Sequence, residues 1–92
     1  MSITMSGLRV FVDCATETSA VGIDMVDTVT SRVFYSRRGN GPIYRWLYEE
    51  SRAHWRPRRM NSSDFDPHKL SNASWKIVPE TLQAQLGAHY LD

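Results

Sequence analysis

From Ile43 to Glu50 the chain alternates, with Tyr44, Trp46 and Tyr48 on one side and Ile43, Arg45, Leu47 and Glu49 on the other. A period of two belongs to a β-strand, because successive side chains leave a strand on opposite faces. Gly39-Asn-Gly-Pro42 stands directly before it. Gly and Asn accept the positive φ of a tight turn, and Pro42 fixes its own φ at the exit. The strand is thereby directed to fold back on the stretch before the turn. That stretch, Ile23 to Arg38, is crowded with Val, Thr, Phe and Tyr. Met25, Val29 and Val33 fall at helical spacing, but the β-branched density favours one long strand.

The same pattern recurs along the chain. Leu8, Val10, Val12 and Cys14 alternate with Arg9, Phe11 and Asp13 and predict a first strand. Ala15 to Gly22 reads as a loop. A turn at Ser51-Arg52 leads into a strand over Ala53 to Met60, where Pro57 removes one backbone donor and so marks an edge or a bulge. Asn61 to Ser74 is polar and is expected to be a loop, and Trp75 to Val78 a last short strand. Pro79 and Glu80 suit the first turn of a helix. Leu82, Leu86, His89 and Tyr90 then share one helical face, with the helix running from 79 to 91. The expectation is one α+β domain over residues 1–92. It comprises an antiparallel meander of four to five strands and a C-terminal α-helix packed on one face, with residues 1–7 flexible.

Charge is distributed unevenly over this layout. Residues 32–59 carry eight arginines against Glu49 and Glu50, a formal +6 in a chain whose net charge is only +1. Arg37, Arg38, Arg45, Arg56, Arg58 and Arg59 would spread positive charge over one sheet and hold phosphates. Tyr44, Trp46 and Tyr48 fit two roles. They form either the buried side of the sheet or a platform on which unpaired bases stack, at roughly 1–3 kcal/mol per base. A sheet face offers no helix for a major groove, so single strands suit it better than duplex. Arg, Trp and Tyr are also interface residues, which keeps open a homodimer or an acidic protein partner.

Other chemistries lack their residues. Cys14 is the one cysteine, so no internal disulfide forms, and a reducing cytoplasm is expected. No stretch approaches the roughly 20 apolar residues of a membrane span, and no basic and apolar leader is read at the start. His54, His68 and His89 lack ligand spacing, so no metal or other cofactor is expected. Glu49 and Glu50 point to opposite faces of a strand and cannot act together as acid and base, and no serine elbow is present. The expected protein is not an enzyme.

The basic aromatic meander from Arg32 to Arg59, followed by Trp75-Lys-Ile-Val-Pro-Glu-Thr-Leu-Gln-Ala-Gln-Leu86, resembles the positive-cofactor/Whirly type of single-stranded DNA-binding domain. The resemblance covers about 60 residues and is one of pattern. Lysine-rich positions of that family are arginine here, and residues before 32 have no counterpart. It implies a curved four-stranded antiparallel sheet followed by a helix, a dimer or larger assembly, and single-stranded DNA binding in transcription regulation. The alternative is a protein-interaction or assembly module using the same Arg/aromatic surface.

Overall fold

A computed structural model describes residues 7–13 and 33–91. The start of the chain up to residue 6, Cys14, the loop at 15–22 and the part of the long strand at 23–32 lie outside the described residues. Five strands are present: β1 (Leu8–Asp13), β2 (Val33–Arg38), β3 (Ile43–Glu49), β4 (His54–Met60) and β5 (Leu70–Asn72). One α-helix follows, α1 (Glu80–His89). The sheet is antiparallel throughout, in the order β4-β3-β2-β1-β5. The expected α+β class is therefore present.

β1 to β4 lie side by side in sequence order. The β2–β3 turn uses Gly39 in the left-handed region at φ +57°, and the Gly41 N–H donates to the Arg38 carbonyl at 2.9 Å. β5 departs from the meander. It pairs with β1 at the far edge, Phe11 opposite Asn72. Residues 61–69 connect the β4 edge to the β1 edge and carry Phe65 across the sheet, onto Phe11 at 5.2 Å and Tyr35 at 5.9 Å between ring centroids.

Two sequence expectations are corrected here. The polar segment 61–74 is not all loop, because Leu70–Asn72 forms β5. Trp75–Ile77 is not a strand but a 3₁₀ turn, capped by the Ser74 hydroxyl, which accepts from the Lys76 N–H. With β5 already occupying the edge, the following residues have no strand to pair with. Gln83 of α1 takes up their backbone instead, donating to the carbonyls of Trp75 at 2.8 Å and Val78 at 2.6 Å.

The core forms between one face of the sheet and α1. Val10, Val12, Phe34, Trp46 and Trp55 meet Val78, Leu82 and Leu86, all buried. Leu82 and Leu86 are one turn apart on α1, which is why the helix docks by that stripe. Each large apolar side chain buried this way contributes about 1.5–3 kcal/mol. Two polar devices fix the helix in register. The Trp46 indole N–H donates to the Ser36 hydroxyl at 2.9 Å, and that oxygen lies 2.7 Å from the Tyr90 hydroxyl. The Trp55 indole donates to Thr81 Oγ1 at 3.0 Å.

α1 also covers an edge. The Gln85 carboxamide accepts from the Trp55 backbone N–H at 2.5 Å and donates to the Trp55 carbonyl at 2.7 Å. Trp55 therefore points its backbone groups away from β3. By the two-residue alternation of an antiparallel ladder, Pro57 and Arg59 do the same. Pro57 thus sacrifices no bond to β3 and removes one donor from the outer edge of β4.

Candidate nucleic-acid interface

Because α1 takes the face of Val10, Phe34, Trp46 and Trp55, strand alternation assigns the opposite face to Arg9, Phe11, Tyr35, Arg37, Arg45, Arg56 and Arg58. Register aligns part of this set into one row across all five strands. Asn72 is opposite Phe11, Phe11 opposite Tyr35, Tyr35 opposite Arg45, and Arg45 opposite Arg58. Two aromatic residues are thus followed by two arginines, at a strand spacing of about 4.8 Å. A second like-charged pair, Arg9 opposite Arg37, lies nearby. The Arg9 guanidinium stands 5.2 Å from the centroid of the Phe11 ring.

The arginines differ in what they hold. Arg37 Nε donates to the Gly41 carbonyl at 3.1 Å and ties down the β2–β3 turn. Arg38 donates to the Tyr90 carbonyl at 2.8 Å, where a cation also complements the C-terminal end of α1. Arg56 reaches Glu49 at 3.4 Å, and His54 lies 2.9 Å from the same carboxylate. The Glu49 carboxyl is held below its ordinary value, chiefly by the hydrogen bond to His54; desolvation opposes this, and the charges of Arg52 and Arg56 add to the lowering. Among the described residues, no ion pair involves Arg45, Arg58 or Arg59. Arg45 is half-buried, and its Nε is shielded from water without a hydrogen-bond partner.

The six arginines expected on one surface are therefore divided. Arg37, Arg45, Arg56 and Arg58 share the face away from the helix, while Arg38 and Arg59 lie on the helix side of their strands. The aromatic stripe is the buried side of the sheet. Trp46 is 1% exposed, beneath α1. Tyr44 is half-buried, with its ring against His89 at 4.5 Å and Tyr90 at 6.4 Å. Tyr48 is half-buried against Trp55 at 5.1 Å. The physical reason is area: the helix needs a broad apolar floor, and three large rings supply it.

The aromatic groups beside the open arginines are instead Tyr35 and Phe65, both half-buried. The Tyr35 phenol titrates above its ordinary value of 10.0, chiefly through burial and then through the Asp13 charge, with Arg45 pulling the other way. Sequence patterning places Tyr35 out of phase with Phe34 but does not show that Phe65, 30 residues later, will cover it. Arg9 was legible as the partner face of Leu8 and Val10, yet only register sets it beside Arg37.

The face away from the helix is bipolar, with Phe11 and Ile43 buried on it and charged groups of both signs around them. Arg45, Arg58, Arg59, Met60, Asn61 and Asp64 line a concavity of about 390 Å³ on its basic side. Asp13, Tyr35, Asp64, Phe65, Asp66 and Lys69 line a smaller one of about 180 Å³ towards β1 and β5. Among the described residues no group of three metal-ligating side chains is gathered, and no helix is long and apolar enough to cross a membrane. Compared with known proteins, the chain matches no family model, no curated protein and no solved structure.

Proposed function

We propose that this chain is a small non-catalytic nucleic-acid-binding protein of the cytoplasm that prefers single strands and acts in transcription regulation. One observation carries the reading: the cross-strand row Phe11–Tyr35–Arg45–Arg58, which ends in two arginines without an acid partner among the described residues. Guanidinium groups suit phosphate oxygens, and rings beside them suit unstacked bases. The sheet face away from the helix offers Tyr35, Arg45 and Arg58 to a flexible strand but not to a duplex groove. The resemblance to the positive-cofactor/Whirly type supports the same reading by pattern. Binding differs from the simplest sequence expectation in one respect. Tyr44, Trp46 and Tyr48 lie on the face that α1 covers, so the stacking groups are Tyr35 and Phe65.

The test is fluorescence anisotropy with a labelled single-stranded oligonucleotide of about 20 nucleotides and its duplex, across a salt series. Each phosphate neutralised on a single strand contributes about 0.7 to the logarithmic salt slope. Replacing Arg9 and Arg58 together by Gln lowers that slope by up to about 1.4, whereas Arg56→Gln, at a guanidinium that Glu49 already engages, changes it by less than about 0.7. A slope unmoved by the double replacement removes these side chains from the phosphate footprint. Absence of binding at low salt rejects the nucleic-acid reading.

The second reading is a protein-assembly module. Asp64 and Asp66 beside the arginines give this face charges of both signs, which favours a second copy of the chain. Concentration-dependent dimerisation that Arg58→Glu weakens, with no oligonucleotide affinity, would select it.

A further inference from the structure

We infer that the concavity at Arg45 and Arg58 is a discrete site for one phosphate-class oxyanion. This rests on the proposed nucleic-acid reading for the source of the phosphate, but not for the existence of the site. Two features of the unliganded geometry are unfavourable on their own. Like charges directly opposite on neighbouring strands repel, and Arg45 and Arg58 are such a pair. A buried N–H without an acceptor forfeits a hydrogen bond it would make in water, and Arg45 Nε is in that state. A tetrahedral oxyanion between the two guanidinium groups removes both penalties at once. It screens the repulsion and supplies acceptors to the N–H donors of both arginines.

The surroundings define how the site works. Asn61 lies in the same concavity and brings a neutral side-chain donor. Asp64 also lines it, yet forms no ion pair with either arginine. Its carboxylate stands at the boundary between the basic and acidic hollows, where it opposes an incoming anion. Affinity is therefore held down by Asp64, and its removal tightens the site. Arg56 provides the internal comparison. It lies on the same strand and face as Arg58, but Glu49 already engages it.

The experiment is titration of the full chain with inorganic phosphate at constant ionic strength, with chloride as the balancing anion. It is followed by the arginine side-chain N–H resonances in ¹H–¹⁵N spectra. Wild type gives saturable shifts centred on Arg45 Hε. Arg58→Gln, an exposed change on an edge strand, weakens phosphate by roughly ten- to a hundredfold, as expected for losing one or two charge-assisted hydrogen bonds. Asp64→Asn tightens it, and Arg56→Gln leaves it within about twofold. Linear, unsaturating shifts, or equal losses in Arg56→Gln and Arg58→Gln, overturn the site in favour of general screening by a basic surface. A single-stranded oligonucleotide then separates the two inferences. If it displaces phosphate, the site takes backbone phosphates. If phosphate saturates the site and the oligonucleotide neither binds nor competes, the site stands and takes a free phosphate or a small phosphate ester, while the nucleic-acid reading fails. If the oligonucleotide binds wild type and Arg58→Gln alike and phosphate does not saturate, the site fails and the nucleic-acid reading stands.

Discussion

Replacing Ser36 by Ala removes a single oxygen from the middle of the protein and is expected to be among its most destabilising small changes. Ser36 has no exposed surface, and its hydroxyl accepts from the Trp46 indole N–H at 2.9 Å while lying 2.7 Å from the Tyr90 hydroxyl. Trp46 is 1% exposed, so its orphaned donor cannot turn to water. That loss is about 1–3 kcal/mol. The Tyr90 bond adds less than its ordinary value of about 0.5–1.5 kcal/mol, because a half-buried hydroxyl recovers part of it from solvent. The total is about 2–3 kcal/mol, or roughly 10–20 °C in Tm at about 4–8 °C per kcal/mol for a domain of this size. Urea unfolding followed by tryptophan emission reads it directly, as a lower midpoint at unchanged slope. Tyr90→Phe serves as a comparison, with a cost of about 0.5–1.5 kcal/mol, since Ser36 then still satisfies the indole. In a Trp46→Phe background there is no indole donor to strand, so Ser36→Ala costs about 1 kcal/mol less there. A Ser36→Ala cost below about 0.5 kcal/mol, within the range of ordinary surface changes, would refute the reasoning. So would equal costs in both backgrounds. Since Ser36 faces α1, the folded variant retains the anion affinity of the opposite face.

Gln85→Ala frees the outer edge of β4 at Trp55, at about 1 kcal/mol of stability, because water replaces the two backbone bonds. The bared edge then promotes association that rises with concentration in light scattering, and an unchanged monomer–oligomer balance would argue against edge protection by Gln85. Ala53 ends the β3–β4 turn at φ +51°. Ala53→Gly therefore stabilises by about 0.5–1 kcal/mol in thermal melts, and a loss of stability would contradict strain at that position. The Glu49 carboxyl is depressed below its ordinary 4.5, so its contribution is present above that pH and is lost as pH falls through the lower folded value. Glu49→Gln flattens the acid limb of stability measured below about pH 5, and an unchanged limb would assign acid sensitivity elsewhere.

Sequence alone determined the elements that depend on neighbours in the chain. The alternation of Tyr44, Trp46 and Tyr48, the Gly39-Asn-Gly-Pro42 turn and the Leu82/Leu86 stripe specify strand, hairpin and helix through local geometry. Pro57 likewise marked β4 as an edge or a bulge, and β4 lies at the edge of the sheet. Local signals failed where pairing at a distance decides. Leu70-Ser71-Asn72 has little strand character of its own and becomes β5 only because β1 presents an open edge. Trp75–Ile77 alternates like a strand but finds no partner. The candidate site follows the same division. An arginine-rich middle was visible as composition, but its partition between two faces required knowing which face α1 covers. The Tyr35–Arg45–Arg58 row joins three strands by register, and Phe65 reaches it through a connection that returns across the sheet. Hydrogen-bonding between strands sets that row to within one residue, and a slip of one would send every one of its side chains to the opposite face.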